Sequence, residues 1–107
     1  MKRGDLVTIS LPGDYGNPHP ALIIQSDLFA EHPSVTVLPV TSELRLAPIT
    51  RISIKPSAGN GLKKPSQVMV DKAATLPRDK IKTRIGALES ETQKSVNQAL
   101  MVFMRLA

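Results

Sequence analysis

Hydrophobic and polar positions alternate near the start of the chain. Between residues 5 and 11, Val7, Ile9 and Leu11 take one face and Thr8 and Ser10 the other, which predicts a half-buried strand. Residues 12–18, Pro-Gly-Asp-Tyr-Gly-Asn-Pro, are nearly all turn formers and predict a loop. The apolar run over residues 21–25 reads as a central strand. Ser26, Asp27, Leu28 and Phe29 predict a short helical turn, and residues 35–41 a further strand in which Pro39 signals a bulge or an edge position. Residues 49–54 alternate again, with Arg51 and Ser53 opposite Ile52 and Ile54. Gly59-Asn60-Gly61 then predicts the turn into a strand over 67–71, and Leu76-Pro77-Arg78-Asp79 a later turn.

The period changes at the C-terminus. Ser90 followed three residues later by Gln93 fits a capping box. Val96, Ala99, Leu100, Phe103 and Leu106 then recur at helical spacing and give one apolar face, while Lys94, Asn97, Gln98 and Met101 fall largely elsewhere. Short strands followed by one terminal helix predict a mainly β fold: a small, strongly bent, mostly antiparallel sheet or open barrel with a C-terminal helix. The 107 residues show no repeat and no shift in composition, so residues 1–107 are expected to form a single domain.

Composition narrows the chemistry. The absence of cysteine removes disulfides, thiolate metal sites and cysteine nucleophiles. With no Trp, one Tyr and two Phe, an aromatic base-stacking platform is not expected. Apolar runs are too short to span a bilayer, and the charged start carries no signal-peptide core, so no membrane partner and a cytoplasmic location are expected. Fourteen Lys and Arg against nine Asp and Glu give a formal charge of +5, which suits a polyanionic partner, nucleic acid first, and equally suits plain solubility.

Metal-ligand spacings and cofactor motifs are absent: His19 and His32 stand alone, no carboxylates cluster, and Gly59-Asn60-Gly61 does not open a helix. No metal and no cofactor are therefore expected. Two stretches could carry chemistry. In the first, Asp14, Tyr15, Asn17 and His19 gather just before the apolar strand, and Pro18 and Pro20 stiffen the backbone on both sides of His19. Histidine is a natural acid or base near neutral pH, although a surface histidine in a stiff loop is the plainer reading. In the second, Thr41 and Ser42 place adjacent hydroxyls at a strand end, suited to a phosphate oxygen or to ordinary capping.

Several stretches together resemble the MazF/PemK family of toxins. They are Gly4-Asp5-Leu6-Val7, Pro20-Ala21-Leu22-Ile23-Ile24, Leu38-Pro39-Val40-Thr41-Ser42 and Pro65-Ser66-Gln67-Val68, in order along the chain and closed by the terminal helix. The resemblance implies an SH3-like, CcdB-type barrel that forms a homodimer and is neutralised by a cognate antitoxin. It also implies metal-independent, sequence-specific cleavage of single-stranded RNA, the substrate's 2′-hydroxyl attacking the phosphate to leave a 2′,3′-cyclic phosphate and a 5′-hydroxyl. On this basis Thr41 matches the family's active-site threonine and is expected to hydrogen bond the scissile phosphate. Asp14 matches a loop glutamate of some members, Gln67 a residue lining the RNA groove, and Tyr15, Asn17 and Ser42 are expected to contact substrate beside them.

The departure is His19, which stands where the family usually has arginine. Arginine offers a permanent charge and a fork of donors, whereas neutral histidine offers one donor and one acceptor. His19 is expected to share catalysis with Thr41, in a nuclease that the exchange attenuates if arginine's task is charge stabilisation. Two alternatives come from other classes. A CcdB-like gyrase inhibitor shares the fold, but this chain ends Met104-Arg105-Leu106-Ala107 and lacks that relative's Trp-Gly-Ile terminus. A catalytically silent module that binds nucleic acid or antitoxin is the other.

Overall fold

The computed structural model describes residues 1–11 and 17–106. Seven strands are found among them: β1 (Asp5–Ile9), β2 (His19–Ile23), β3 (Ser34–Thr41), β4 (Arg51–Ile54), β5 (Ser66–Met69), β6 (Ala74–Pro77) and β7 (Ile81–Ala87). One α-helix, α1 (Ser90–Met104), closes the chain. All pairings are antiparallel and run in the order β4-β5-β3-β2-β1-β7, with β6 added to β3. The sheet does not close into a barrel: β4 and β7 are its two ends.

Alternation along the strands builds two cores. Leu6 pairs with Leu22 and Leu22 with Leu38, so one apolar row crosses three strands. With Val40, Ile54, Val68 and Val70, this row packs beneath Val96 and Ala99 of α1. The intervening residues Val7, Ile9, Ala21, Ile23, Val35 and Val37 face the other way and bury against Ile81. A strand whose two faces are both covered needs apolar side chains at every position, which is why residues 21–23 read as continuously apolar.

Several elements differ from their sequence signals. The strand predicted over 5–11 ends at Ile9, and the one predicted over 21–25 starts two residues earlier, at His19. Pro39 is on neither an edge nor a bulge. β3 pairs with β2 on one side, while on the other it is held by β6 through residues 34–37 and by β5 through 40 and 41. Pro39 falls in the gap between those two partners, where its missing N–H leaves no ladder bond unmade. Leu76 and Pro77 belong to β6, and a 3-10 turn at Arg78–Lys80 follows. The strand predicted over 67–71 runs Ser66–Met69 and gives way to a 3-10 turn at Val70–Lys72.

The helix has no capping box. Its N-cap is Glu89, without a side-chain cap bond, and the Gln93 amide donates to Asn97 Oδ1 at 3.0 Å. Arg3 ties this turn to the sheet by donating to Asn97 Oδ1 and to the Ile24 carbonyl, both at 2.9 Å. The apolar face is buried only as far as Leu100. Phe103 and Leu106 are 48% and 72% exposed.

Candidate functional site

The site forms where β2 begins and β3 ends. Their pairing ends with Ala21 across from Pro39, and His19 and Thr41 lie two residues beyond it on the two strands. β5 pairs Gln67 with Thr41 on the far side. A groove of about 260 Å³ opens here, lined by His19, Pro20, Val40, Thr41, Ser42, Leu62, Lys63, Lys64 and Ser66. Three residues singled out from the sequence in two separate stretches, His19, Thr41 and Ser42, thus share one groove. The strand pairing, rather than either stretch alone, brings them together.

Thr41 is half-buried and its Oγ1 accepts the Glu43 N–H at 3.0 Å. That bond uses a lone pair of the hydroxyl and leaves its O–H to donate into the groove. His19 and Ser42 are exposed, so the groove mouth is open to a ligand at both walls.

Gln67 does not line the groove. Its side chain is buried, receives the Arg45 N–H at 3.0 Å, returns a bond to the Arg45 carbonyl at 2.9 Å and accepts from Arg51 at 3.2 Å. These bonds pin the segment that leaves Thr41 and Ser42, so Gln67 shapes the site from behind. Asn17 is exposed in the stretch before β2 and is not among the lining residues. Asp14 and Tyr15 lie outside the described residues.

The segment 62–66 supplies a further part of the lining, through Leu62, Lys63, Lys64 and Ser66. Its placement starts from Asn60, whose side chain has no exposed surface. Asn60 Oδ1 accepts the N–H groups of Ser57 and Leu62, each at 3.0 Å, and its amide donates to the Lys55 carbonyl at 2.8 Å and to Glu89 at 3.2 Å. Ser57 Oγ donates to Glu89 at 2.7 Å, and this bond, aided by Asn60 and opposed by partial burial, holds the Glu89 carboxyl below its ordinary 4.5. Gly61 has φ +71° and lies so close to the Ile85 carbonyl that no Cβ fits. Gly86 on β7 is equally tight against Gly59 and Asn60. The loop therefore stacks backbone to backbone on β7 and delivers Leu62, Lys63 and Lys64 to the groove. A signal was present in the sequence: an asparagine between two glycines suits left-handed or close-packed backbone. The burial of its amide is set by tertiary packing and has no local signature.

Among the described residues, no group of three or more His, Cys, Asp or Glu side chains gathers to hold a metal ion, and no helix is long and apolar enough to cross a membrane.

Comparison with known proteins places the chain in a family. A family model described as PemK-like, MazF-like toxin of type II toxin–antitoxin system matches residues 2–104. The chain is 42% identical over 108 residues to a probable endoribonuclease MazF of Mycolicibacterium smegmatis, covering 100% of this chain and 99% of the relative. Among solved structures, the Mycobacterium tuberculosis toxin MazF-mt6 superimposes with a TM-score of 0.81 at 26% identity, covering 96% of this chain and 98% of that one. A mycobacterial endoribonuclease in complex with its cognate antitoxin shares the fold, with a TM-score of 0.84 at 24% identity over 100% and 97% of the two chains.

Proposed function

The chain belongs to the PemK-like, MazF-like toxins of type II toxin–antitoxin systems and is an endoribonuclease of that family, and from this premise we propose that it cuts single-stranded RNA in the groove between His19 and Thr41. The observation that carries the reading is the meeting of an imidazole, hydroxyls and two lysines in one groove, with no carboxylate among its described lining residues. Such a lining suits an anionic backbone.

The chemistry needs little from the protein. The ribose 2′-oxygen attacks the adjacent phosphorus as it loses its proton, the bond from phosphorus to the 5′-oxygen breaks, and that oxygen takes up a proton. A 2′,3′-cyclic phosphate and a 5′-hydroxyl result. DNA lacks the attacking hydroxyl and is not cut. Thr41 Oγ1–H donates to a non-bridging phosphate oxygen, where negative charge grows, and Ser42 adds a second hydroxyl at the mouth. His19 is positioned to exchange a proton with the 2′- or 5′-oxygen. It does not reproduce the forked donor set of an arginine, so the enzyme runs slower than one with arginine there, by roughly 10²–10³ if charge stabilisation is the task lost. In the cell the toxin acts in the cytoplasm as a homodimer, and its cognate antitoxin silences it by covering this groove.

The test is cleavage of a long single-stranded RNA in EDTA by the parent protein, His19→Arg and Thr41→Val, with analysis of the ends. Cyclic phosphates from the parent and a faster His19→Arg support the reading. Cleavage by the parent that Thr41→Val leaves unchanged removes Thr41 from the site. Cleavage by none of the proteins overturns the nuclease assignment.

A further inference from the structure

We propose that Lys63 and Lys64 form a phosphate subsite of the groove, seating the RNA backbone beside the phosphate that His19 and Thr41 attend. The proposal rests on the groove being the RNA site and adds what lies next to the scissile position.

The first support is how the cations of the chain are engaged. Arg45, Lys72, Arg84 and Lys94 sit in ion pairs with Glu43, Asp71, Asp5 and Glu91. Arg3, Arg51, Arg78 and Lys82 donate to protein oxygens. Lys63 and Lys64 make neither kind of bond among the described residues, as is true also of the Lys2, Lys55, Lys80 and Arg105 side chains. Of these, only Lys63 and Lys64 line the groove, where they are the only Lys or Arg among the described lining residues. Two adjacent exposed ammonium groups repel each other and attract an anion that settles between them.

The second support is the contrast between their backbone and their side chains. Asn60 holds the Leu62 N–H on one side. On the other, the buried Ser66 donates its hydroxyl to the Lys64 carbonyl at 2.9 Å, and Pro65 between them fixes φ. The peptide carrying the lysines is thus anchored at both ends, while the ammonium groups swing on four-carbon stems. A fixed base with mobile point charges follows a backbone without reading its bases.

The third support is spacing. His19 starts β2, Thr41 ends β3, and Ser66 starts β5, the next strand across. Neighbouring strands lie about 4.8 Å apart, so the lysine segment begins roughly 10 Å from β2. That spacing suits a phosphate next to the one that His19 attends.

The experiment compares the parent with Lys63→Gln/Lys64→Gln and Lys63→Arg/Lys64→Arg. One oligoribonucleotide spans a mapped cut, and a copy carries 2′-deoxyribose at the cut so that binding is read without cleavage. We expect Kd and KM of the Gln pair to rise roughly tenfold or more at low salt, with kcat within about twofold of the parent and Tm unchanged. The slope of log Kd against log salt should shrink by about 0.7, the value for one phosphate neutralised on a single strand, and the Arg pair should restore both. An unchanged Kd and slope in a Gln pair whose parent still cuts overturns the subsite alone. A fall in kcat at constant KM overturns it in favour of action at the scissile phosphate. A parent that neither binds nor cuts the RNA overturns the nuclease reading beneath it.

Discussion

Replacing Asn60 with alanine deletes the one polar side chain that has no exposed surface among the described residues. Its loss leaves the N–H groups of Ser57 and Leu62 and the carbonyl of Lys55 without their partner, along with one bond to Glu89. A buried polar group left unpaired costs about 1–3 kcal/mol, and water reaches Ser57 and Lys55 more easily than Leu62, so the net loss is about 2–4 kcal/mol. A domain of this size loses about 4–8 °C of Tm per kcal/mol, so the midpoint falls by roughly 10–25 °C. Asn60→Asp separates hydrogen bonding from shape. It keeps the acceptor for both N–H groups but removes the donor and sets a second carboxylate beside Glu89, so at neutral pH it is as damaging as alanine and it recovers in acid. The assay is calorimetry of the three proteins at pH 7 and at about pH 4, near the ordinary carboxylate range. An Asn60→Ala midpoint within about 4 °C of the parent refutes the claim that this amide holds the loop.

Other predictions concern the same loop and the helix end. Because Ser57 and Asn60 lower the Glu89 value, the unfolded chain binds the proton more readily than the folded one. The associated stability is complete above the ordinary 4.5 and is lost as pH falls through the lower folded value. Urea midpoints across that window should fall less steeply with acid in Ser57→Ala than in the parent, and equal slopes count against the assignment. Gly61→Ala puts a methyl onto the Ile85 carbonyl at a φ of +71° and should yield insoluble protein, whereas a soluble variant with parental Tm contradicts the close approach. Arg105 closes the helix at φ 55° with the Leu106 N–H bonded to Met101 O. Arg105→Gly relieves that conformation and should gain about 1 kcal/mol in urea denaturation, a loss instead arguing that the arginine side chain contributes there.

What the sequence makes legible follows from where the controlling physics lies. Strand segments with two covered faces announce themselves, so β1, β2 and β3 are visible in the apolar pattern. β6 and β7 are not: residues 81–87 carry Lys82, Thr83 and Arg84 in succession, exposed on an end strand with no apolar alternation to betray it. The helix is visible by its period, but not where its burial stops. Periodicity continues through Phe103 and Leu106, while burial ends near Leu100. His19, Thr41 and Ser42 are legible as residues able to do chemistry by their side-chain types, although Thr41 also serves as a local cap by accepting the Glu43 N–H. Gln67 is legible as important, and in the structure its amide holds the Arg45 backbone and is not among the lining residues of this groove.

Pro39 shows how one residue carries two meanings. Read locally, a proline in a strand marks an edge or a bulge, since an interior strand has a partner requiring each outward N–H. β3 escapes that demand by changing partners: β6 leaves it after Val37, β5 joins it at Val40, and the proline occupies the interval. The change of partner has a consequence for the site. β5 alone is paired with β3 at Val40 and Thr41, while the pairing with β2 ends at Pro39, so the sheet opens between β2 and β3 just beyond Pro39. Thr41 and Ser42 emerge at that opening, two and three residues past the switch, with β2 beginning beside them at His19. A continuous ladder there would have tied both sides of β3 to neighbouring strands and left no mouth. The proline signal is therefore correct about the missing hydrogen bond, and what it marks is the place where the sheet parts to form the groove.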